Sequence, residues 1–377
     1  MRVSIDRKQL QENVQDVMKA VSSRTTIPIL TGIKMVVTEE GVTLTGSDSD
    51  ISIETFLPRE DEERTYIDIE EPGSIVFPAA YFSEIVKKLP EQDVEIYVQN
   101  GTQILIQSGN AQFRLNGLDA DEYPRLPKIE EQDTFSLPTN ILRMLIRQTV
   151  FAVSTSETRP VLTGVNWKIG NGSLTSVATD SHRLAFRDVQ LETGDASFSA
   201  VIPGKSLNEL NKIIDDTQEE VEVLITANHI LFRSENLLFL SRLLEGNYPD
   251  TSRLIPTEIK TEVSVSTKAF LQAIDRASLF ARNDRNHVVK LSTLENKNLE
   301  LSSDSPEIGK VVEKIETNAF EGEDLKISFS AKYMMEALKA MEGSNVRIQF
   351  TGAMRPFVIR SDEEEQFMQL ITPVRTF

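Results

Sequence analysis

Residues 27–53 read IPILTGIKMVVTEEGVTLTGSDSDISI, and residues 159–185 read RPVLTGVNWKIGNGSLTSVATDSHRLA. Laid on each other at a constant offset, they place Pro28, Leu30, Thr31 and Gly32 on Pro160, Leu162, Thr163 and Gly164. A fainter third copy, NHVVKLSTLENKNLELSSDSPEIGKVV, begins at Asn286 and keeps a strand, a turn, a second strand and Ser-Asp-Ser. Recurrence at a fixed spacing marks a tandem array, and reading it as one long domain would misjudge the fold. Later segments repeat as well: GLDADEYPRL (117–126) and LLEGNYPDTSRL (243–254) align Tyr123-Pro124 with Tyr248-Pro249. Boundaries therefore fall near 127 and 255, in LPKIEEQD and LIPTEIKT, both rich in Pro and charge. They define domains 1–127, 128–255 and 256–377.

Within each copy the elements recur in order. A strand (RVSID, FSLP, EVSVS) precedes an amphipathic helix, namely QLQENVQDVMKAV, NILRMLIRQTVFAV and KAFLQAIDRASLFA, with apolar residues at helical spacing. Strands follow, and a second, shorter helix opens after a strand: YFSEIVKKL, KSLNELNKII and KYMMEALKAM. Alternating strands close the unit, as in VEIYVQNGTQILIQSGNAQFRL, where Asn100-Gly101 signals a two-residue hairpin. Each domain of about 125 residues is thus α+β, with two helices and antiparallel sheets, and is itself a doubled β-α-β-β-β half.

The 377 residues include no Cys, which removes disulfides, thiol nucleophiles and zinc ribbons. The start, MRVSIDRKQL, lacks an apolar signal core, and no run approaches the roughly 18 apolar residues of a membrane span. A cytoplasmic protein is expected. Forty Lys plus Arg against 58 Asp plus Glu give a net charge of -18, at first sight unfavourable for nucleic acid. The charge is unevenly spread: with Lys8 counted at the start of the first, the six predicted helices carry a net +6, which leaves -24 for everything else. Either helices simply accommodate Lys and Arg, or they line one basic surface inside an acidic exterior.

At 178–184 the sequence ATDSHRL packs Asp180, Ser181 and His182 together, the residue types of a hydrolase. The repeat favours a turn: Asp48-Ser49 and Asp304-Ser305 stand at the matching places, whereas His182 is replaced by Asp50 and Pro306. Asp and Ser side chains bond readily to nearby backbone amides, and consecutive extended residues point to opposite faces, away from triad geometry. No GxSxG elbow supports a Ser181/His182 hydrolase. His182, His229 and His287 show no metal-ligand spacing, and neither GxGxxG nor GxxxxGK[ST] occurs. The acidic runs Glu60 to Glu63 and Asp362 to Glu365 fall in predicted loops and read as solvated charge. No catalytic residue, metal or cofactor is expected.

PILTGIKM, GLDADEYPRL, ATDSHRLAFR, NYPD with SRLIP, and the terminal PVRTF together resemble the bacterial DNA polymerase III beta subunit family, the sliding clamps, in its Gram-positive form. The resemblance covers essentially the whole chain. It implies three tandem copies of the DNA clamp fold, with two chains closing head to tail into a ring. Such a ring is a non-catalytic processivity factor that encircles double-stranded DNA and tethers replicative and repair polymerases, the clamp loader, and mismatch-repair and ligation factors through short peptide motifs. Twelve helices would then face the phosphates, which are sequence-independent partners suited to sliding. A repeat scaffold binding proteins alone is the competing reading; it shares the groove but has no DNA dependence.

The resemblance implies a DNA-facing Arg24, and the helix argument adds Arg143, Arg147, Lys205, Lys212, Lys268 and Lys339. It also implies a peptide groove between the second and third domains. One side is formed by Leu162, Thr179, Ser181, His182, Arg183, Leu184, Pro249, Arg253 and Leu254. The other has Tyr333, Met354, Pro356, Ile371, Thr372, Pro373, Val374 and Arg375. Aliphatic walls there would accept Leu and Phe anchors. The first repeat carries Leu30 at the Leu162 position, so burial alone could explain that residue, whereas His182, Arg183 and Leu184 fall on Asp50, Ile51 and Ser52. Thr372 and Val374 flank Pro373 where the proteobacterial pattern has Met, and Asn286 stands where that pattern has an aromatic residue. For ring closure the resemblance implies Phe113 and Leu115 on an edge strand, and Leu279 and Phe280 after the third domain's first helix.

Overall fold

The computed structural model describes residues 1–375 except 63, 100, 128–132, 192–196, 215–218, 282–286 and 306–308. The first repeat runs β1 (Arg2–Asp6), α1 (Arg7–Met18), β2 (Gly32–Val37), β3 (Gly41–Ser47), β4 (Ile51–Pro58), β5 (Ile67–Glu71), β6 (Gly73–Pro78), α2 (Ala79–Lys88), β7 (Asp93–Gln99), β8 (Gln103–Ser108) and β9 (Ala111–Asn116). The second runs β10 (Asp133–Pro138), α3 (Thr139–Thr149), β11 (Gly164–Gly170), β12 (Ser173–Thr179), β13 (Arg183–Gln190), β14 (Phe198–Pro203), α4 (Gly204–Ile213), β15 (Glu220–Ile225), β16 (His229–Ser234) and β17 (Leu237–Arg242). The third runs β18 (Thr261–Ser266), α5 (Thr267–Ala281), β19 (Val288–Thr293), β20 (Leu299–Ser305), β21 (Gly309–Ile315), β22 (Ala319–Gly322), β23 (Lys326–Ser330), α6 (Ala331–Ala340), β24 (Asn345–Phe350), β25 (Phe357–Ser361) and β26 (Phe367–Ile371).

Local chemistry explains where the helices start and stop. Asp6 caps α1 by accepting from the Gln9 amide at 3.0 Å, and Ser330 caps α6 by accepting from the Tyr333 amide. Leu10, Val14 and Val17 are the buried stripe of α1. Gly46 in β3 lets that helix lie directly on the sheet, because a Cβ there would come within 2.4 Å of the Val17 carbonyl oxygen. The helix expected to run to Val153 instead ends at Thr149, followed by a 3-10 turn, Val150–Ala152. There the Thr149 hydroxyl turns inward, donating to the Leu145 carbonyl at 2.6 Å and meeting Ser176 Oγ at 3.1 Å. The β7–β8 hairpin forms with Gly101 at φ 85°; Asn100 lies outside the described residues.

All named strand pairings are antiparallel, and they interlock the two halves of a repeat. In the first repeat β1 pairs with β7, continuing to β8 and β9, while β6 pairs with β2, continuing to β3 and β4. The opening strand of each half thus joins the three closing strands of the other half. The chain forms two compact units, Met1–Asn140 with Glu209–Leu243, and Ile141–Asn208 with Leu244–Phe377. The first unit holds the sheets β5-β1-β7-β8-β9 and β10-β15-β16-β17-β4-β3-β2-β6. The second holds β14-β11-β12-β13-β26-β25-β24-β18-β22 and β21-β20-β19-β23.

Each long sheet therefore crosses a repeat junction, through the β4–β17 pairing Leu237↔Thr55 to Ser241↔Ile51 and the β13–β26 pairing Arg183↔Ile371 to Arg187↔Phe367. Aromatic side chains fill the cores: Phe77 and Phe82 stack at 4.0 Å in the first unit, and Phe270, Phe329, Phe350 and Phe357 are fully buried in the second. No helix among the described residues is long and apolar enough to cross a membrane.

Candidate functional site

The Asp-Ser segment forms the same turn in two repeats. Asp180 Oδ1 accepts from the amides of His182 (2.9 Å) and Arg183 (3.0 Å), and Asp48 Oδ1 accepts from those of Asp50 (3.0 Å) and Ile51 (2.8 Å). Ser181 and Ser49 sit in the left-handed region at φ 77° and 79°, which the side-chain bonds stabilise. The third repeat departs from this. Asp304 and Ser305 belong to β20, pairing with Lys310 and Gly309, and Lys290 Nζ binds Asp304 Oδ1 at 2.8 Å. Pro306 lies outside the described residues. Turn formation, not nucleophile placement, accounts for Asp180 and Ser181, and no hydrogen bond joins Ser181 to the His182 ring among the described residues.

Beyond this turn, β13 enters the junction with β26. Arg183 is buried, and its guanidinium is fully engaged: Nε donates to Asp180 Oδ2 at 3.0 Å, one terminal nitrogen pairs with Glu336 of α6, and the other donates to the Phe151 carbonyl at 2.6 Å. It also lies over the Tyr333 ring at 4.4 Å. The tail is stitched alongside: the amide and hydroxyl of Thr372 both donate to the His182 carbonyl, at 2.9 and 2.8 Å, and the Val374 amide donates to the Ser328 carbonyl at 2.8 Å. His182, Tyr333, Thr372, Pro373 and Val374 thereby line one cavity of about 400 Å³.

Three further residues line it, His287, Ser330 and Lys332. Ser330 ends β23 and caps α6, and Lys332 lies in the first turn of that helix, so the helix bearing Tyr333 was the signal for them. His287 owes its place to backbone geometry, with φ 47° and a carbonyl that accepts from the Ala331 amide at 2.9 Å. Asn286, beside it, lies outside the described residues.

Other expected groove residues are distributed by depth. Leu162, Thr179, Leu184 and Ile371 are buried, and Leu184 packs with Val177, Val358, Met368 and Leu370, flanked by Tyr248 and Ile255. Tyr248 Oη accepts from the Thr179 amide at 3.0 Å, and burial holds its phenol protonated well above the usual range. Pro249 and Pro356 are half-buried, while Ser181, Arg253 and Arg375 are exposed. Leu254 at 48% and Met354 at 57% are large apolar side chains left in water. Neither lines the cavity beside His182, which is itself partly polar and partly apolar and suits a short peptide segment with an apolar anchor.

Among the expected DNA-facing residues, Arg24 is exposed in a loop and Arg143 is half-buried. Arg147 is exposed and pairs with Glu342, and Lys212 pairs with Glu209 at 2.8 Å. Lys205, Lys268 and Lys339 are exposed on α4, α5 and α6. The ring-closing candidates stand at two sheet edges. Phe113 and Leu115 are half-buried on β9, the last strand of its sheet, and β21 ends another sheet. Beside β21, Leu279 is 50% exposed, Phe280 lies by Gly309, and Val312 is 48% exposed.

Comparison with known proteins matches the whole chain. Models of the DNA polymerase III beta subunit fit in chain order, the N-terminal domain to residues 1–127, the central domain to 136–250 and the C-terminal domain to 252–375. The beta sliding clamp of Bacillus subtilis (strain 168) is 61% identical over 378 residues, and that of Halalkalibacterium halodurans is 55% identical over 380, with 100% of each chain covered. The crystal structure of the DNA polymerase sliding clamp from Bacillus subtilis, also 61% identical, aligns with a TM-score of 0.97 over 100% of both chains.

Proposed function

Because the chain belongs to the DNA polymerase III beta subunit family, whose members are sliding clamps, we propose that two copies close head to tail into a ring around duplex DNA. The chain is a processivity factor of DNA replication and a non-catalytic accessory subunit of DNA polymerase III. It is built from three copies of the clamp fold.

One observation supports closure of the ring above others. At both junctions inside the chain, the outer strand of one repeat's second sheet pairs with the outer strand of the next repeat's first sheet, β4 with β17 and β13 with β26. Among the described residues, two strands of the same kinds remain without such a partner, β21 at one end and β9 at the other. A second chain supplies the complement to each, so β21 of one copy pairs with β9 of the other, and a twofold arrangement repeats the bond. Phe113, Leu115, Leu279 and Phe280 then flank the seam.

Helices lining the opening would bring Arg24, Arg143, Arg147, Lys205, Lys212, Lys268 and Lys339 toward the phosphates. The carboxylate partners of Arg147 and Lys212 are partly solvated and exchangeable, because exposed ion pairs contribute little. The groove beside His182 would hold peptide tails of polymerases, the clamp loader, and mismatch-repair and ligation factors. The domain limits are placed near 127 and 255, where β10 and β18 restart the element order. Work on replicating DNA places the protein in the cytoplasm. Negative-stain imaging paired with solution mass tests the ring: the expected result is a particle with a central hole and about twice the 42.4 kDa chain mass. A compact monomer without a hole would leave the repeats standing and remove the encircling mechanism.

A further inference from the structure

The repeat builds a second recess, at the β4–β17 junction. A cavity of about 180 Å³ there is lined by residues that include Leu30, Asp50, Pro124, Arg125, His229 and Arg242. These positions match those of the groove. Leu30 stands where Leu162 does, Asp50 where His182 does, and Pro124 where Pro249 does. Strand pairing extends the correspondence: the Arg242 amide donates to the Asp50 carbonyl at 2.9 Å, as the Thr372 amide does to the His182 carbonyl at 2.9 Å. Leu240 faces Ser52 across one junction as Leu370 faces Leu184 across the other.

The frame is shared but the chemistry is not. Arg242 replaces Thr372, and Arg125 follows directly on the shared Tyr-Pro pair. Both guanidiniums are exposed, and neither makes an ion pair among the described residues. The half-buried His229 lies beside Arg242, and Asp50 is the one carboxylate among the described lining residues. Beneath them Leu30 and Leu240 form a buried aliphatic floor.

We propose that this recess binds a short extended peptide that presents a carboxylate beside an aliphatic side chain. Two guanidiniums suit a carboxylate, which accepts charge-assisted bonds from both. The floor suits one aliphatic group and offers nothing to a phosphodiester, so a peptide is favoured over nucleic acid. The site is separate from the groove beside His182 and does not depend on that groove being occupied.

The test uses the full chain and a fluorescein-labelled peptide, Gly-Ser-Asp-Leu-Leu with a free C-terminal carboxylate, followed by fluorescence anisotropy. Binding is expected to persist in a Pro373→Glu background, which charges the other groove. Adding Arg125→Glu and Arg242→Glu is expected to weaken it at least tenfold, with Arg125→Lys and Arg242→Lys losing less. Both side chains are exposed, so thermal unfolding should be unchanged. Hydrogen exchange should slow at 27–30 and 123–127 when peptide is added. No binding, loss of binding in the Pro373→Glu background alone, or indifference to the arginine reversals would overturn the proposal. Displacement of the peptide by short duplex DNA at equal concentration would reassign the recess to nucleic acid.

Discussion

Arg183 shows how one residue can be read two ways. In the sequence it sits next to His182 in a segment where the first repeat has Ile51 and Ser52, which points to a private, functional role. In the fold its guanidinium is 7% exposed and pinned by Asp180, Glu336 and the Phe151 carbonyl. It fixes the turn that presents His182 and anchors α6, which presents Tyr333. Removing it leaves two carboxylates without their counter-ion, so Arg183→Ala should cost about 3–5 kcal/mol, read from urea unfolding. Arg183→Lys should recover only part of this, because an ammonium cannot fork to several acceptors. A loss under about 1 kcal/mol for Arg183→Ala would mean that these pairs contribute no more than exposed ones do. Residue type and repeat offset made the Asp-Ser turn legible. Burial direction was not, because a strand places alternate side chains on opposite faces and the deciding partners, Glu336 and Phe151, are far away in sequence.

Among the elements, the helices were the most legible, since a 3.6-residue period is a local property. Five of them begin within two residues of the expected start and end within three, and only the first repeat unit's partner in the second, α3, closes markedly early at Thr149. Strand continuity across repeats was not legible, because it joins residues such as Thr55 and Leu237 that share no local pattern. Two elements carry predictions. On α1 the Asp16 carboxyl is pushed above its ordinary range by burial, with the Lys19 ammonium at 2.6 Å opposing the shift. A raised folded value means that ionising Asp16 costs stability at neutral pH, and the cost vanishes as pH falls toward the unfolded value near about 3.9. Asp16→Asn should therefore gain on the parent at pH 7, the gap closing by about pH 4; a gap independent of pH would show that the carboxyl does not titrate differently on folding. At the sheet edge, a charge on β9 would oppose pairing with β21. Phe113→Glu should shift sedimentation toward the single-chain mass while leaving unfolding of the chain nearly unchanged, and an unaltered mass would place the seam elsewhere.

For the whole molecule, a net charge of -18 is compatible with DNA binding if holding DNA is a matter of topology. A closed ring would need no tight contact, and an acidic exterior would keep DNA from adhering outside the opening. Two consequences separate this from ordinary electrostatic binding. Phosphate contacts give an affinity that falls with salt, with a slope of about 0.9 per contact. Lys268→Ala with Lys339→Ala, which removes two exposed helix cations from each chain, without ion pairs among the described residues, and so four from a two-chain ring, should make the salt dependence of binding to short linear duplex shallower by up to about 3.6. Once the protein is placed on circular duplex, by contrast, retention should survive both the double substitution and a rise from 50 to 200 mM salt, and cutting the circle should release it. Gel filtration of labelled protein with circular and linearised DNA reads this directly. Equal, salt-sensitive loss from both forms would mean that the cations hold the DNA by themselves and that the chain does not encircle it.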